Sequence, residues 1–256
     1  TSSFMKEYPM AGEEETATDI FFVVDDVKYH VLSESTVAVW DATNVSGTYE
    51  IPPQVTYDNK NYSVVEIGSQ AFYENTKLTS VIMPDTVTKI QDGNTGNGIY
   101  GAFGKCTSLK TVTFSKNLTY IGNFAFYYDA ALENVTLPEK LESIMDEAFD
   151  DCSGITKLEL PASTTYVGQC ALKGTSLTEF TIPETCKNFH FWALSGISTL
   201  TAVYVEEGQG EYCSVDGIMY SEDMSGLEFY PEGKKDKEYR LPDQVQVIRA
   251  GAIFNN

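Results

Sequence analysis

A block of about 23 residues recurs along this chain, and it restricts the fold more than any other feature. The copies read LKTVTFSKNLTYIGNFAF from Leu109, LENVTLPEKLESIMDEAF from Leu132, ITKLELPASTTYVGQCAL from Ile155 and LTEFTIPETCKNFHFWAL from Leu177. Their leading apolar residues, Leu109, Leu132, Ile155, Leu177 and Leu200, are 22 or 23 residues apart. A period in the twenties is the mark of a solenoid, in which no unit can bury its apolar face alone.

Each unit has two halves. In the first, LxxVxIP, apolar residues at positions 1, 4 and 6 point inward from a short strand. Proline then ends the strand where a missing N–H costs least. In the second, VxxIGxxAFxxC, Ile121-Gly122 and Val167-Gly168 read as turn sites where glycine would supply positive φ. Ala71-Phe72, Ala102-Phe103, Ala125-Phe126 and Ala148-Phe149 follow, and a short helix or turn is expected there. The unit from Leu78 is eight residues longer than the 23-residue repeat, and the excess falls in the glycine-rich stretch 91–101, an insertion expected to loop out while the rungs keep register.

The flanks follow a different pattern. Residues 1–18 read as a disordered segment. Residues 19–64 read as a β-rich N-terminal cap, with turns at Asp25-Asp26 and Asn59. The solenoid is assigned to 65–256, interrupted at about 206–240 by a β-hairpin insertion. The motif resumes as RLPDQVQVIRAGAIF and stops at Asn256 partway through a unit. Either the parent chain continues there or a partner covers the end.

Charge removes several classes of partner. With 37 acidic and 17 basic residues the formal charge is −20. Such a surface repels phosphate backbones and anionic membranes, so nucleic acid is not an expected partner. No stretch approaches the roughly 18 apolar residues of a membrane span. The N-terminal stretch has no signal-peptide core, so the protein is cytosolic or lost a signal before residue 1.

Motifs with catalytic chemistry are missing. There is no GxSxG, phosphate loop or GxGxxG opening a helix, so no enzyme activity, cofactor or catalytic residue is expected. His30 and His190 are the only histidines and form no ligand pair. Asp25-Asp26, Asp150-Asp151 and Asp216 are oxygen donors without an EF-hand loop, and read as solvated turn residues rather than a metal site. The five cysteines contain no CxxC. Cys106 and Cys152 share a repeat position but lie two rungs apart, about 9–10 Å, which is too far for a disulfide. Buried thiols are expected.

The motifs LTSVIMPDTVTKI, GAFGKCTSL and LKTVTF closely resemble the BspA-like leucine-rich repeats of bacterial surface proteins. The resemblance covers about residues 45–256. It is specific because period, proline, Ile-Gly and Ala-Phe recur together. Departures are Ser115 for proline, Asp129 for cysteine and the rung CKNFHFW at Cys186–Trp192. The resemblance implies an α/β fold, a right-handed solenoid with a parallel sheet on its concave side. It also implies a secreted or surface-attached location, and adhesion to host matrix or bacterial surface proteins.

On that frame the concave face would carry Thr79, Ile82, Lys110, Thr113, Glu133, Thr136, Lys157, Glu159, Glu179, Thr181 and Tyr204. The insertion offers Asp92, Asn94, Asn97 and Tyr100 as a second candidate site. The bland reading of the threonines is β-propensity, and of the loop a tolerated insertion. The function expected is non-catalytic protein binding. The alternatives are carbohydrate binding through Phe189, Phe191 and Trp192, if those rings are exposed, and a structural spacer or stalk.

Overall fold

The computed structural model describes residues 19–236 and 238–253; the N-terminal segment assigned to disorder lies outside the described residues. The first hairpin pairs β1 (Phe21–Val24) with β2 (Val27–Val31). Its turn residues Asp25 and Asp26 take φ of 49° and 63°, the left-handed pair that matches strand twist in a two-residue turn. Strand β2 then pairs antiparallel with β3 (Thr36–Asp41). Strand β4 (Gly47–Glu50) leaves this sheet, while β5 (Gln54–Tyr57) and β6 (Lys60–Ile67) form a second hairpin. Strand β6 also runs parallel to β3. The antiparallel segment thereby hands its open edge to the repeats.

In the repeats, β7 (Leu78–Ile82), β9 (Thr111–Thr113), β13 (Glu179–Ile182) and β15 (Ala202–Val205) come from the LxxVxIP half. The second half supplies the two-residue strands β8 (Lys89–Ile90), β10 (Tyr120–Ile121), β11 (Ser143–Ile144), β12 (Tyr166–Val167) and β14 (Asn188–Phe189). The second-half strands make the unbroken parallel ladder, β6-β8-β10-β11-β12-β14, with Ile67, Ile90, Ile121, Ile144, Val167 and Phe189 in register. All six are buried. The LxxVxIP ladder exists in two pieces, β4-β7-β9 and β13-β15.

Two expectations are corrected here. Ile121-Gly122 and Val167-Gly168 are not positive-φ turns; Ile121 and Val167 end strands, and the left-handed residues come two places later, at Phe124 and Cys170. At these two rungs glycine answers a different need. A Cβ on Gly122 would lie 2.3 Å from the Gln91 carbonyl oxygen, and one on Gly168 would lie 2.3 Å from Asp146 Oδ1. The equivalent position carries a side chain at Gln91, Met145 and His190, so the close approach is particular to the glycine rungs.

The helical half of the expected α/β solenoid is also replaced. Among the described residues there is no α-helix, and each Ala-Phe segment is a turn. The backbone N–H groups explain why. Phe72, Phe103, Phe126 and Phe149 donate to Ala102, Ala125, Ala148 and Ala171 of the next rung, at 2.7–2.9 Å. Bonds that a helix would close within its own turn are spent between rungs.

That pairing stacks the phenylalanines. The rings of Phe72, Phe103, Phe126 and Phe149 lie 4.6–5.1 Å apart with interplanar angles of 2–9°. Each is fully buried, contributing about 1.5–3 kcal/mol by area alone.

After β15, strands β16 (Tyr212–Val215), β17 (Ile218–Ser221) and β18 (Gly226–Phe229) form an antiparallel meander. Strand β19 (Val247–Ile248), from the resumed motif, pairs parallel to β18. This sheet has its own small core of Ile218, Tyr220, Leu227, Tyr230 and Ala252.

Candidate functional site

The break in the LxxVxIP ladder has a local cause. Glu133 N–H still donates to the Lys110 carbonyl at 2.9 Å, continuing the rung spacing. At the next residue Asn134 intervenes. Its Oδ1 accepts the backbone N–H groups of Thr156 (2.9 Å) and Lys157 (3.1 Å), and its Nδ2 donates to Thr156 Oγ1 at 3.2 Å. A side-chain amide thus replaces the main-chain carbonyl, and residues 133–137 and 156–160 do not join the strands on either side. One inward side chain in each of these segments is less covered. Val135 and Leu160 are half-buried, as is Val112 on the adjoining β9, whereas Leu137 and Leu158 stay buried; Val81 and Val203 are fully buried.

Three clefts open in series along this stretch. The largest, about 890 Å³, lies between 112–117 and 134–140; Val112, Phe114 and Leu137 are among its apolar lining, and Thr113, Asn117, Asn134 and Thr136 among its polar lining. A cleft of about 340 Å³ follows between 134–137 and 157–161, and one of about 450 Å³ between 156–160 and 178–183. Of the predicted face, Thr113, Thr136, Lys157, Glu159, Glu179 and Thr181 line these clefts. Thr79, Ile82, Lys110, Glu133 and Tyr204 lie outside them; Tyr204 is 43% exposed.

Sequence reading missed Lys116, Asn117 and Lys140, which belong to the segment after the proline position. Lys140 Nζ donates to Asn117 Oδ1 at 2.7 Å, Asn117 Nδ2 donates to the Asp85 carbonyl at 2.8 Å, and Lys116 N–H donates to Asp85 Oδ1 at 3.0 Å. Among the described residues, Lys110, Lys116, Lys140 and Lys157 have no carboxylate within ion-pair distance. The available signal was Ser115 in place of proline. Its hydroxyl donates to the Val87 carbonyl at 2.5 Å and fixes the segment that Lys116 and Asn117 leave from.

The 91–101 insertion is tied down at three of its four candidate residues. Asp92 accepts the Tyr120 hydroxyl at 2.8 Å and the Asn123 N–H at 2.9 Å. Burial first, and then this carboxylate, raise the Tyr120 pKa. Asn94 and Tyr100 exchange backbone hydrogen bonds of 3.0 and 2.9 Å, and the Tyr100 ring packs 4.9 Å from Tyr73. Only Asn97 stands at the exposed tip.

The aromatic rung is covered rather than displayed. Phe189 is 2% exposed. Phe191 lies under the Arg249 guanidinium at 4.3 Å, and Trp192 Nε1 donates to the Ala250 carbonyl at 3.3 Å. Both half-buried rings therefore serve as the seat of the resumed motif. All five cysteines are unpaired; Cys106 and Cys152 are buried, donating to the Phe72 and Phe126 carbonyls at 3.1 and 3.0 Å.

Comparison with known proteins agrees with this geometry. A family model described as a BspA type leucine rich repeat region matches in six copies, over residues 54–94 and 65–201. The match indicates no catalytic family. No curated protein matches the chain. Among solved structures, the chain is similar to the pneumococcal vaccine antigen PcpA, at 26% identity and a TM-score of 0.74 over 90% of this chain and 60% of that one. It is also similar to a leucine rich cell surface protein from Faecalibacterium prausnitzii, at 27% identity and a TM-score of 0.67 over 88% of this chain and 65% of that one. A leucine-rich repeat protein from Eubacterium ventriosum, 20% identical with a TM-score of 0.60, shares the fold over 90% of this chain and 55% of that one. This chain therefore spans less than two thirds of each of these three proteins. Among the described residues no helix is long and apolar enough to cross a membrane.

Proposed function

The chain belongs to the BspA-type leucine rich repeat family, and from that premise we propose that it is a non-catalytic protein-binding module displayed at a bacterial cell surface. In this reading the array is a right-handed solenoid whose LxxVxIP side is the concave binding surface. Residues 19–64 act as its N-terminal cap and about 206–240 as an insertion. The partner is a host matrix protein or another bacterial surface protein.

The observation that carries the reading is the row of three clefts between β9 and β13. They combine an apolar lining with main-chain groups released from the ladder and lysines free of carboxylate partners. That is the composition of a protein-docking surface, where buried apolar contacts supply affinity and rim charges set partner choice. The cell-surface name of the Faecalibacterium relative supports the location.

The test is binding of the purified chain to immobilised matrix proteins and bacterial surface proteins, with Glu133→Lys/Glu179→Lys as the probe of the face. Binding should weaken about tenfold in the double variant, because two rim charges reverse. An interaction that is saturable and unchanged by the double variant would place the site elsewhere and sink this reading.

A further inference from the structure

The Ala-Phe turns build a second surface. Two residues after each Ala-Phe or Ala-Leu pair the backbone becomes left-handed. Glu74, Lys105, Tyr128, Asp151, Gly174 and Gly196 occupy this row, with φ of 55–71°. Glycine takes that conformation freely, whereas a residue with a Cβ is disfavoured by about 1–2 kcal/mol. The later rungs use glycine. The centre of the array places a tyrosine and an aspartate there instead.

Their neighbours make this substitution chemically specific. Tyr127 and Tyr128 meet edge to face with centroids 4.6 Å apart, Phe124 packs edge-on to Tyr127 at 6.0 Å, and Tyr128 is 47% exposed. Burial, then Tyr128 and the charges of Asp150, Asp151 and Glu147, push the Tyr127 hydroxyl up to about 12. The rung that carries these carboxyl groups lies directly beside the tyrosines, since the Tyr128 N–H donates to the Asp150 carbonyl at 2.9 Å. Asp150 is 4% exposed, and its Oδ1 is buried without a hydrogen-bond partner. Burial, a hydrogen bond with Glu147 and the Asp151 charge raise its pKa to about 8, opposed by Lys173.

A cation would suit the exposed Tyr128 ring and the partly exposed carboxyl groups of Glu147 and Asp151. Ammonium and guanidinium groups sit over aromatic faces and make charge-assisted bonds to carboxylates. The chain supplies its own cations at comparable places: Lys105 Nζ stands 5.8 Å from the Tyr73 ring centre, and Arg249 covers Phe191 while paired with Glu228. A metal ion is a poor fit, since among the described residues no group of three or more His, Cys, Asp or Glu is arranged to hold one.

We propose that Phe124, Tyr127, Tyr128, Glu147, Asp150 and Asp151 form a docking site for a lysine- or arginine-bearing segment of a partner protein, separate from the LxxVxIP clefts. The formal charge of −20 favours approach of such a segment. The tyrosine rings then take its aliphatic stems and cationic heads.

The probe is the capped peptide Gly-Lys-Gly-Lys-Gly-Lys, titrated into the full chain at low salt and followed by calorimetry. Tyr128→Gly/Asp151→Gly removes the site while giving the backbone the residue that Gly174 and Gly196 already use, so its melting temperature should equal or exceed that of the parent chain. Peptide affinity should fall about tenfold in this variant. It should fall less than threefold in Glu133→Lys/Glu179→Lys, although that pair changes the net charge more. Equal losses in the two variants would mean diffuse attraction to an acidic protein and overturn the proposal. Undiminished binding in the glycine variant, or no saturable binding to the parent chain, would overturn it as well.

Discussion

Asp129 shows how one residue can depart from a repeat and be held by its neighbours. It occupies the position of Cys106 and Cys152, and is fully buried. Its Oδ1 accepts the Cys106 N–H at 2.8 Å, while Oδ2 has no partner. Burial pushes its carboxyl well above the usual carboxylate range. The folded state therefore holds this proton to higher pH than the unfolded chain does. Its contribution to stability is greatest below the unfolded pKa and is lost as pH rises toward the folded one. Asp129→Cys should raise stability at pH 8 by about 1–3 kcal/mol, the cost of an unsatisfied buried polar group, and flatten the dependence between pH 5 and 8. Denaturant melts at the two pH values decide this; an unchanged slope would show that Asp129 is not the titrating group. The departure was legible in the sequence as a missing cysteine. The upward pull on its carboxyl pKa was not, because only the packed neighbours exclude water.

At the scale of elements, the LxxVxIP half forms strands as its sequence implies, and the Ile-Gly half forms strands as well. LxxVxIP reads as the strand because its apolar residues alternate, and Ile-Gly reads as a turn. Yet the unbroken ladder runs through Tyr120–Ile121 and its equivalents, each only two residues long. A strand that short carries no alternation to detect. The interruption of the other ladder depends on Asn134, one polar residue among many outward-facing ones. Asn134→Ala should remove the acceptor shared by the Thr156 and Lys157 N–H groups, costing about 1–2 kcal/mol. Amide exchange at these two positions should accelerate relative to Val167, whose ladder is unaffected. Equal protection before and after would mean that another group holds them. The same contingency governs the candidate site. Thr113, Thr136, Lys157, Glu159, Glu179 and Thr181 were foreseeable from strand alternation. Lys116 and Lys140 were not, since they reach the cleft from beyond the strand.

Across the whole molecule, one continuous core extends from Phe22 to Phe229, and a second, smaller one lies in the C-terminal sheet. Near the aromatic rung the second leans on the first through Arg249, which is paired with Glu228 and covers Phe191, and through the Trp192–Ala250 hydrogen bond. Glu228 is 7% exposed, so removing its partner strands a buried charge. Arg249→Ala should destabilise this sheet by about 2 kcal/mol, below the value for a fully enclosed pair because the Arg249 side chain is partly exposed. Hydrogen exchange should show Ile218 and Leu227 losing protection while Ile121 and Ile144 keep theirs. A uniform loss across both sets would mean that the two cores unfold as one. The sequence marks this rung as atypical and its spacing suits an irregular core, with sugar stacking as the alternative had the rings been exposed; that two of them seat a later strand was not legible, because Arg249 and Ala250 lie more than 50 residues away in the chain.

The unbroken ladder also sets how the array would answer a mechanical load. Its hydrogen bonds run along the stacking axis, from each rung to the next. A pull applied at the two ends meets them one interface at a time, in the manner of a zipper, and never as a block in shear. Since each rung contacts chiefly its neighbours, tension should peel the outermost units while the centre stays folded. Every rung released would let out about 75 Å of chain. A module of this build, held between a surface and a bound partner, would lengthen in steps and keep its central clefts shaped until the last rungs give way.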